Sequence, residues 1–218
     1  MSGAVAAGKS TVAEMLAEIL GGRVISADSI AHELLVGSKE VKQGIIERWG
    51  DACLDENGEI ARERLAEIVF NSAGELAELN RIVHPSILKR IREEIDAARK
   101  EKSAWLVLDA ALLFETGLDE VCDVRIFVET SPDVRAERAR QSRGWDTQEL
   151  TRRQRAQISL KTKRESSDYT INNSGKKHET KRQIEETIKK IQELGRRTNG
   201  ELESHENRGR TDHRRRRT

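Results

Sequence analysis

Nine residues close to the amino terminus, Gly3-Ala4-Val5-Ala6-Ala7-Gly8-Lys9-Ser10-Thr11, restrict the fold more than any other stretch of this 218-residue chain. They fit G-x-x-x-x-G-K-[S/T] and run straight into a segment of helical periodicity, with Val12, Met15, Leu16, Ile19 and Leu20 on one face before Gly21-Gly22. Small residues let backbone N–H groups approach phosphate oxygens, and the helix N-terminus adds partial positive charge. Lys9 can reach the β/γ-phosphates and Ser10 can offer an oxygen to Mg²⁺. The chemistry implied is binding of a nucleoside triphosphate. Such a loop hangs from a buried central strand, yet only Met1 and Ser2 precede Gly3. Three or four buried apolar side chains of such a strand are worth about 5–10 kcal/mol, comparable to the whole net stability of a domain, about 5–15 kcal/mol. The expectation is that the central strand is missing and that the natural start lies several residues upstream.

The rest of the chain alternates between two periods. "RVISAD" (23–28), "AWLVLDA" (104–110), "VRIFVE" (124–129) and the weaker "YTINN" (169–173) read as strands, with a helix over 177–194 carrying Ile184, Ile188, Ile191 and Leu194 on one face. Strands alternating with helices predict an α/β fold with a parallel sheet covered on both sides. Residues 29–102 are helical in pattern, with breaks near Gly37, Gly50 to Gly58, Ser72 to Gly74 and Pro85, giving helices around 39–49, 61–70, 75–83 and 86–101. An insertion this long is more than a crossover needs and implies a substrate-binding unit. One domain over 1–195 is expected, carrying this insertion and a second feature at 133–165. There, residues 135–164 hold ten Arg/Lys against three Asp/Glu, as a cationic lid over a polyphosphate would, or a solvated helix pair.

Charge narrows the function classes. Lys and Arg (39) nearly balance Asp and Glu (38), but residues 196–218 carry eight Arg and four acidic residues, so the remainder is mildly acidic. That argues against a specific nucleic-acid binder. The Arg-rich tail, 196–218, lacks apolar periodicity and is expected to be disordered. No apolar run is long enough for a membrane span, and residues 1–22 lack the pattern of a secretory signal, so a cytoplasmic protein is expected. Cys53 and Cys122 stand in unrelated contexts, which suggests reduced packing thiols and no metal site made of protein ligands.

Two carboxylates end strands where ligands bind in open α/β sheets. Asp28, after the second strand, could accept a proton from an acceptor hydroxyl, or cap the next helix. Asp109, after the third, could orient a Mg²⁺-bound water. No Asn-Lys-x-Asp guanine signature is present.

Beyond the loop, "ISADSIAHELL" (25–35), "HPSI" (84–87), "LDAALLFETGLDEVCD" (108–123), "VETSPDVRAERARQSRG" (128–144), "RRQRAQ" (152–157) and "INNSG" (171–175) resemble, in order and spacing, the dephospho-CoA kinases. The resemblance runs from Gly3 to about Leu194. It implies a P-loop kinase related to nucleoside monophosphate kinases, with ATP and Mg²⁺ as cofactors. Its reaction would transfer the γ-phosphoryl of ATP to the ribose 3′-hydroxyl of 3′-dephospho-CoA, the last step of coenzyme A synthesis. Carried over by motif, Asp28 resembles the base, assisted by Lys9 and Arg143. Gly3 to Thr11, Arg138, Arg143 and Asn173 would hold ATP, with Arg153 one lid helix later. His32, His84, Asp109, Leu113 and Glu115 would join Asp28 in the acceptor site. The sequence departs from the family pattern in three places: Ala4 and Ala6 replace glycines, Ser26 replaces an aspartate, and Ala111 stands where proline is usual. Alanine at positive φ costs on the order of 1 kcal/mol, so the loop is expected to keep Ala4 and Ala6 out of that region. Two alternatives remain: another nucleoside or nucleotide kinase, or a nucleotide-binding protein that has lost catalysis.

Overall fold

The computed structural model describes residues 1–70, 72–101 and 105–194; the expected disorder of the 196–218 tail lies outside the described residues. The elements run β1 (Ser2–Gly3), α1 (Lys9–Leu20), β2 (Arg23–Ser26), α2 (Ala27–Gly37), α3 (Lys39–Trp49), α4 (Arg62–Phe70), α5 (Ala73–Lys100), β3 (Leu106–Asp109), β4 (Ile126–Glu129), α6 (Pro132–Arg143), α7 (Thr147–Arg155), α8 (Leu160–Glu165), β5 (Tyr169–Asn172) and α9 (177–194). Every strand pair is parallel: β2 with β3, β1 with β4, and β4 with β5.

The central strand is not absent. Ser2 and Gly3 pair with Phe127 and Val128 on one side. On the other, the Met1 amino group donates to Leu108 O, and Ala110 N–H donates to Met1 O at 3.3 Å. These bonds join the two ladders in the spatial order β2-β3-β1-β4-β5. Three residues therefore fill a place for which a longer strand was expected, because their backbone groups meet both neighbours. Met1 is buried with Val12, Ala13 and Leu16 of α1, Val128 of β4, Ile171 of β5, and Ile184 and Ile188 of α9. The face of α1 read from the sequence is the one that packs on the sheet.

A second apolar cluster joins the β2–β3 half of the sheet to α2 and α5 through Ile25, Ile30, Ile91 and Leu113. A third holds α3 and α4 against α5 through Val41, Ile45, Leu65, Val69, Leu76 and Val83. Here the expected break at Pro85 does not occur: α5 is one helix of 28 residues with Pro85 inside it. An interior proline removes one backbone bond and crowds the preceding turn, at about 3 kcal/mol. Burial of Val83 before it and Ile91 and Ala98 after it offsets that cost, since the two halves share one apolar stripe. No described helix is long and apolar enough to cross a membrane.

Candidate active site

The β1–α1 loop is held open by glycine geometry at both ends. A Cβ on Gly3 would lie 2.6 Å from the Val128 carbonyl oxygen, and Gly8 takes φ 77° where α1 begins. Between them Ala6 has φ 60°, so the loop does carry an alanine in the left-handed region, against expectation, while Ala4 does not. The loop is pinned from below through the Ala7 carbonyl. That oxygen accepts from Asn173 Nδ2 at 2.9 Å, Thr130 Oγ1 at 3.0 Å and an Arg138 guanidinium nitrogen at 3.3 Å. Arg138 also donates to Asn173 O, and Thr180 Oγ1 donates to Asn173 Oδ1. The side chain of Asn173 is thus spent on the loop's shape. The first turn of α1 faces the cleft, with Ser10 and Thr11 exposed and no side chain capping the helix, which leaves its N–H groups to an anion.

Charge converges at the carboxyl end of the sheet. Burial pushes the Lys9 ammonium below its ordinary value, and the Asp109 and Asp28 carboxylates pull it back. Burial likewise raises Asp28 above the usual carboxylate range, opposed by Lys9 and Arg143 and reinforced by Asp109. Solvent reaches Asp28 through the open cleft, but protein crowds its carboxylate from the other sides. Asp28 is not the cap of α2: Ser26 Oγ accepts from Ser29 N–H, which leaves the aspartate free to face the cleft. Asp109 is almost fully buried. Its Oδ2 accepts from Ser10 Oγ at 2.6 Å, and its Oδ1 has no hydrogen-bond partner. A hydroxyl beside a buried carboxylate with an unused oxygen fits a hard divalent cation that takes its other ligands from phosphates and water.

Asp28 also stands at the rim of an open, largely apolar cavity of about 110 Å³, lined among others by Leu35, Val83, His84, Leu112 and Thr116. Burial holds the His84 imidazole below its ordinary value, and its Nδ1 has no partner. His32, one turn beyond Asp28 on α2, is exposed and does not line this cavity. Leu113 is buried beneath the turn that follows β3, where its neighbour Leu112 supplies the lining. Glu115 does not line the cavity and is mostly buried: Oε1 accepts from Lys163 Nζ at 2.8 Å and Ile158 N–H at 3.1 Å.

Helices α6 and α7, in the 133–165 segment expected to form a lid, lie on the phosphate loop. Val5 packs with Ala139 and Leu150, and Val5 N–H donates to Gln154 Oε1 at 3.1 Å. Arg143 and Arg153 both stack on Trp145, 4.6 and 4.1 Å from the ring centroid, which holds two guanidinium groups near the mouth of the site. The sequence reading found the arginines but missed Trp145, Gln154 and Lys163. For Lys163 the only local sign is Leu160, one turn earlier on the same face of α8 and packed on the core.

The dephospho-CoA kinase family model matches residues 1–179. The dephospho-CoA kinase of Bacillus cereus (strain ZK / E33L) is 35% identical over 190 residues, 87% of this chain and 94% of the relative. That of Geobacillus kaustophilus is 36% identical over 184 residues, 84% and 91%. Among solved structures, the dephospho-CoA kinase from Campylobacter jejuni superposes with a TM-score of 0.61 at 28% identity, covering 89% of this chain and 96% of that one. The Thermus thermophilus protein TT1252 shares the fold with a TM-score of 0.72 at 24% identity, covering 86% and 93%.

Proposed function

The chain belongs to the dephospho-CoA kinase family, and we propose that Asp28, Lys9 and Arg143 carry its transfer of the ATP γ-phosphoryl group to the ribose 3′-hydroxyl of 3′-dephospho-CoA. The observation that carries this reading is the meeting of Lys9, Asp28, Asp109 and the Arg143 charge at one end of the sheet, beside an apolar cavity with Asp28 at its rim.

The loop and the N-terminus of α1 bind the phosphates, and Lys9 and Arg143 balance the charge that spreads over the γ-phosphoryl oxygens. Asp28 orients the 3′-hydroxyl and takes its proton as the new O–P bond forms and the bond from Pγ to the bridging oxygen of ADP breaks. Burial raises the affinity of Asp28 for that proton, and its negative charge helps keep Lys9 cationic. Ser10 and Asp109 would hold Mg²⁺, which neutralises phosphate charge when bound. The lid excludes water, so that the hydroxyl and not water is the nucleophile. The acceptor's apolar parts enter the cavity, where His84 offers a neutral ring nitrogen.

An acceptor panel tests this reading. Dephospho-CoA should exceed AMP, CMP and adenosine in kcat/KM by at least about 10², with Asp28→Asn reducing that value by a similar factor. Equal rates across the panel, or an active Asp28→Asn, would overturn it.

A further inference from the structure

Lys163 is a lysine with no solvent exposure, on the short helix α8 that ends the 133–165 segment. Nothing in phosphate binding calls for it. Its ammonium makes three contacts of 2.8 Å, to Glu115 Oε1, the Ala111 carbonyl and Gln157 Oε1. Glu115 Oε1 in turn accepts from Ile158 N–H. The partners fall into two groups. Ala111 and Glu115 belong to the turn after β3, the turn whose Leu112 and Thr116 line the acceptor cavity. Gln157 and Ile158 form the joint between α7 and α8, the point where the lid returns to the body of the protein.

A buried ion pair is a costly way to join two segments, because desolvation offsets much of the attraction, and apolar residues could fill the same space. What it provides is fixed geometry: one ammonium ties three acceptors from two segments to a single point, and a network left partly satisfied there is costly. Burial lowers the Lys163 pKa, and the hydrogen bond and charge of Glu115 oppose that shift. A displacement of the cavity turn must therefore move the lid joint with it, or break the pair.

We propose that Lys163, clamped to Glu115, is a positioning residue that couples occupation of the acceptor cavity to closure of the phosphate lid, so that acceptor and ATP bind cooperatively. The inference rests on the kinase reading above. Acceptor in the cavity steadies the 111–117 turn. The clamp transmits that to Gln157 and Ile158, and α7, which carries Gln154 and Arg153, is held over the nucleotide. The coupling is reciprocal: nucleotide under the lid steadies the acceptor cavity by the same factor.

The test is calorimetric titration of the full chain with Mg²⁺ and a non-hydrolysable ATP analogue, with and without saturating dephospho-CoA. The wild type should bind the analogue about tenfold more tightly when the acceptor is present, within the usual range of such couplings. Lys163→Met should bring the ratio of the two affinities to within twofold of one. A merely structural role would weaken both affinities and leave their ratio in place, so a ratio near ten in the variant overturns the proposal, as does a wild-type ratio near one. If Lys163→Met does not fold, the pair Lys163→Met with Glu115→Gln leaves no uncompensated buried charge and is titrated in the same way, with the same two outcomes. Turnover of the wild type separates the two layers. A wild type that phosphorylates dephospho-CoA without coupling loses only this inference, and one that does not phosphorylate it loses the kinase reading as well.

Discussion

Two alanines in the phosphate loop, Ala4 and Ala6, should respond to glycine with opposite signs. Ala6 has φ 60°, and Ala4 does not share that backbone. For an L-residue the left-handed region costs about 1–2 kcal/mol, which Ala6→Gly removes. Against this, glycine loosens the unfolded chain at about 0.4–1 kcal/mol. Ala6 is only partly buried beside Val5 and Ala139, so the lost methyl costs a further few tenths. The balance is a gain of about 0.5 kcal/mol. At Ala4, 2% exposed in the main core, the same substitution relieves no strain. It loses a buried methyl worth about 0.8 kcal/mol together with the same entropy term, a loss of about 1–2 kcal/mol. At about 2–4 °C per kcal/mol for a domain of this size, the two variants should differ in Tm by roughly 3–10 °C, with the wild type between them. Scanning calorimetry without nucleotide measures this directly. Equal shifts, or a lower Tm for Ala6→Gly than for Ala4→Gly, would refute the claim that the loop stores backbone strain at Ala6.

Lys9→Ala and Asp28→Ala should each lower kcat/KM by at least about 10² in a coupled ADP-release assay, with near-normal turnover in both sinking the site assignment. Because burial raises the Asp28 pKa, the acid limb of kcat/KM should lie above the ordinary aspartate value of about 3.9, with activity falling as pH drops through it; a limb below that value contradicts the desolvated base. The same shift has a stability consequence: a raised folded-state pKa contributes stability that is complete below the unfolded value and lost as pH rises through the folded one. Asp28→Asn should therefore raise Tm relative to the wild type at pH 7 and lose that advantage near pH 3, and the reverse order would argue against burial as the cause. Asp109→Ala should raise the Mg²⁺ concentration for half-maximal rate about tenfold or more, read from a magnesium titration at fixed ATP; an unchanged midpoint would remove Asp109 from the cation site.

What the sequence disclosed and what it hid follow from the range of the interactions involved. The phosphate loop, the four longer strands and the carboxylates at their ends are local patterns, and β2, β3, β4 and β5 all fall within the segments read as strands. Asp28 and Asp109 were legible because chain direction in a parallel sheet brings strand ends to one edge. The Pro85 break failed because one backbone penalty is outweighed by an apolar stripe that extends over both halves of α5. The brevity of β1 misled because the support for those residues comes from Leu108 and Ala110 on one side and Phe127 and Val128 on the other, more than 100 residues away. Asn173 is expected among the residues that hold ATP; what no local pattern discloses is that its side chain also holds the phosphate loop, through the Ala7 carbonyl 166 residues away. Lys163 and Glu115 meet across 47 intervening positions, and no local period distinguishes a buried lysine from a solvated one.

The destination of the ATP γ-phosphoryl group distinguishes this kinase from an ATPase or a silent nucleotide binder. Incubation of the protein with γ-labelled ATP, Mg²⁺ and 3′-dephospho-CoA, followed by mass spectrometry and phosphorus NMR of the products, measures it in one experiment. One labelled phosphate per acceptor is expected, attached at the ribose 3′-oxygen, with one ADP formed for each. Label released as inorganic phosphate, or ATP left intact while bound, would contradict it.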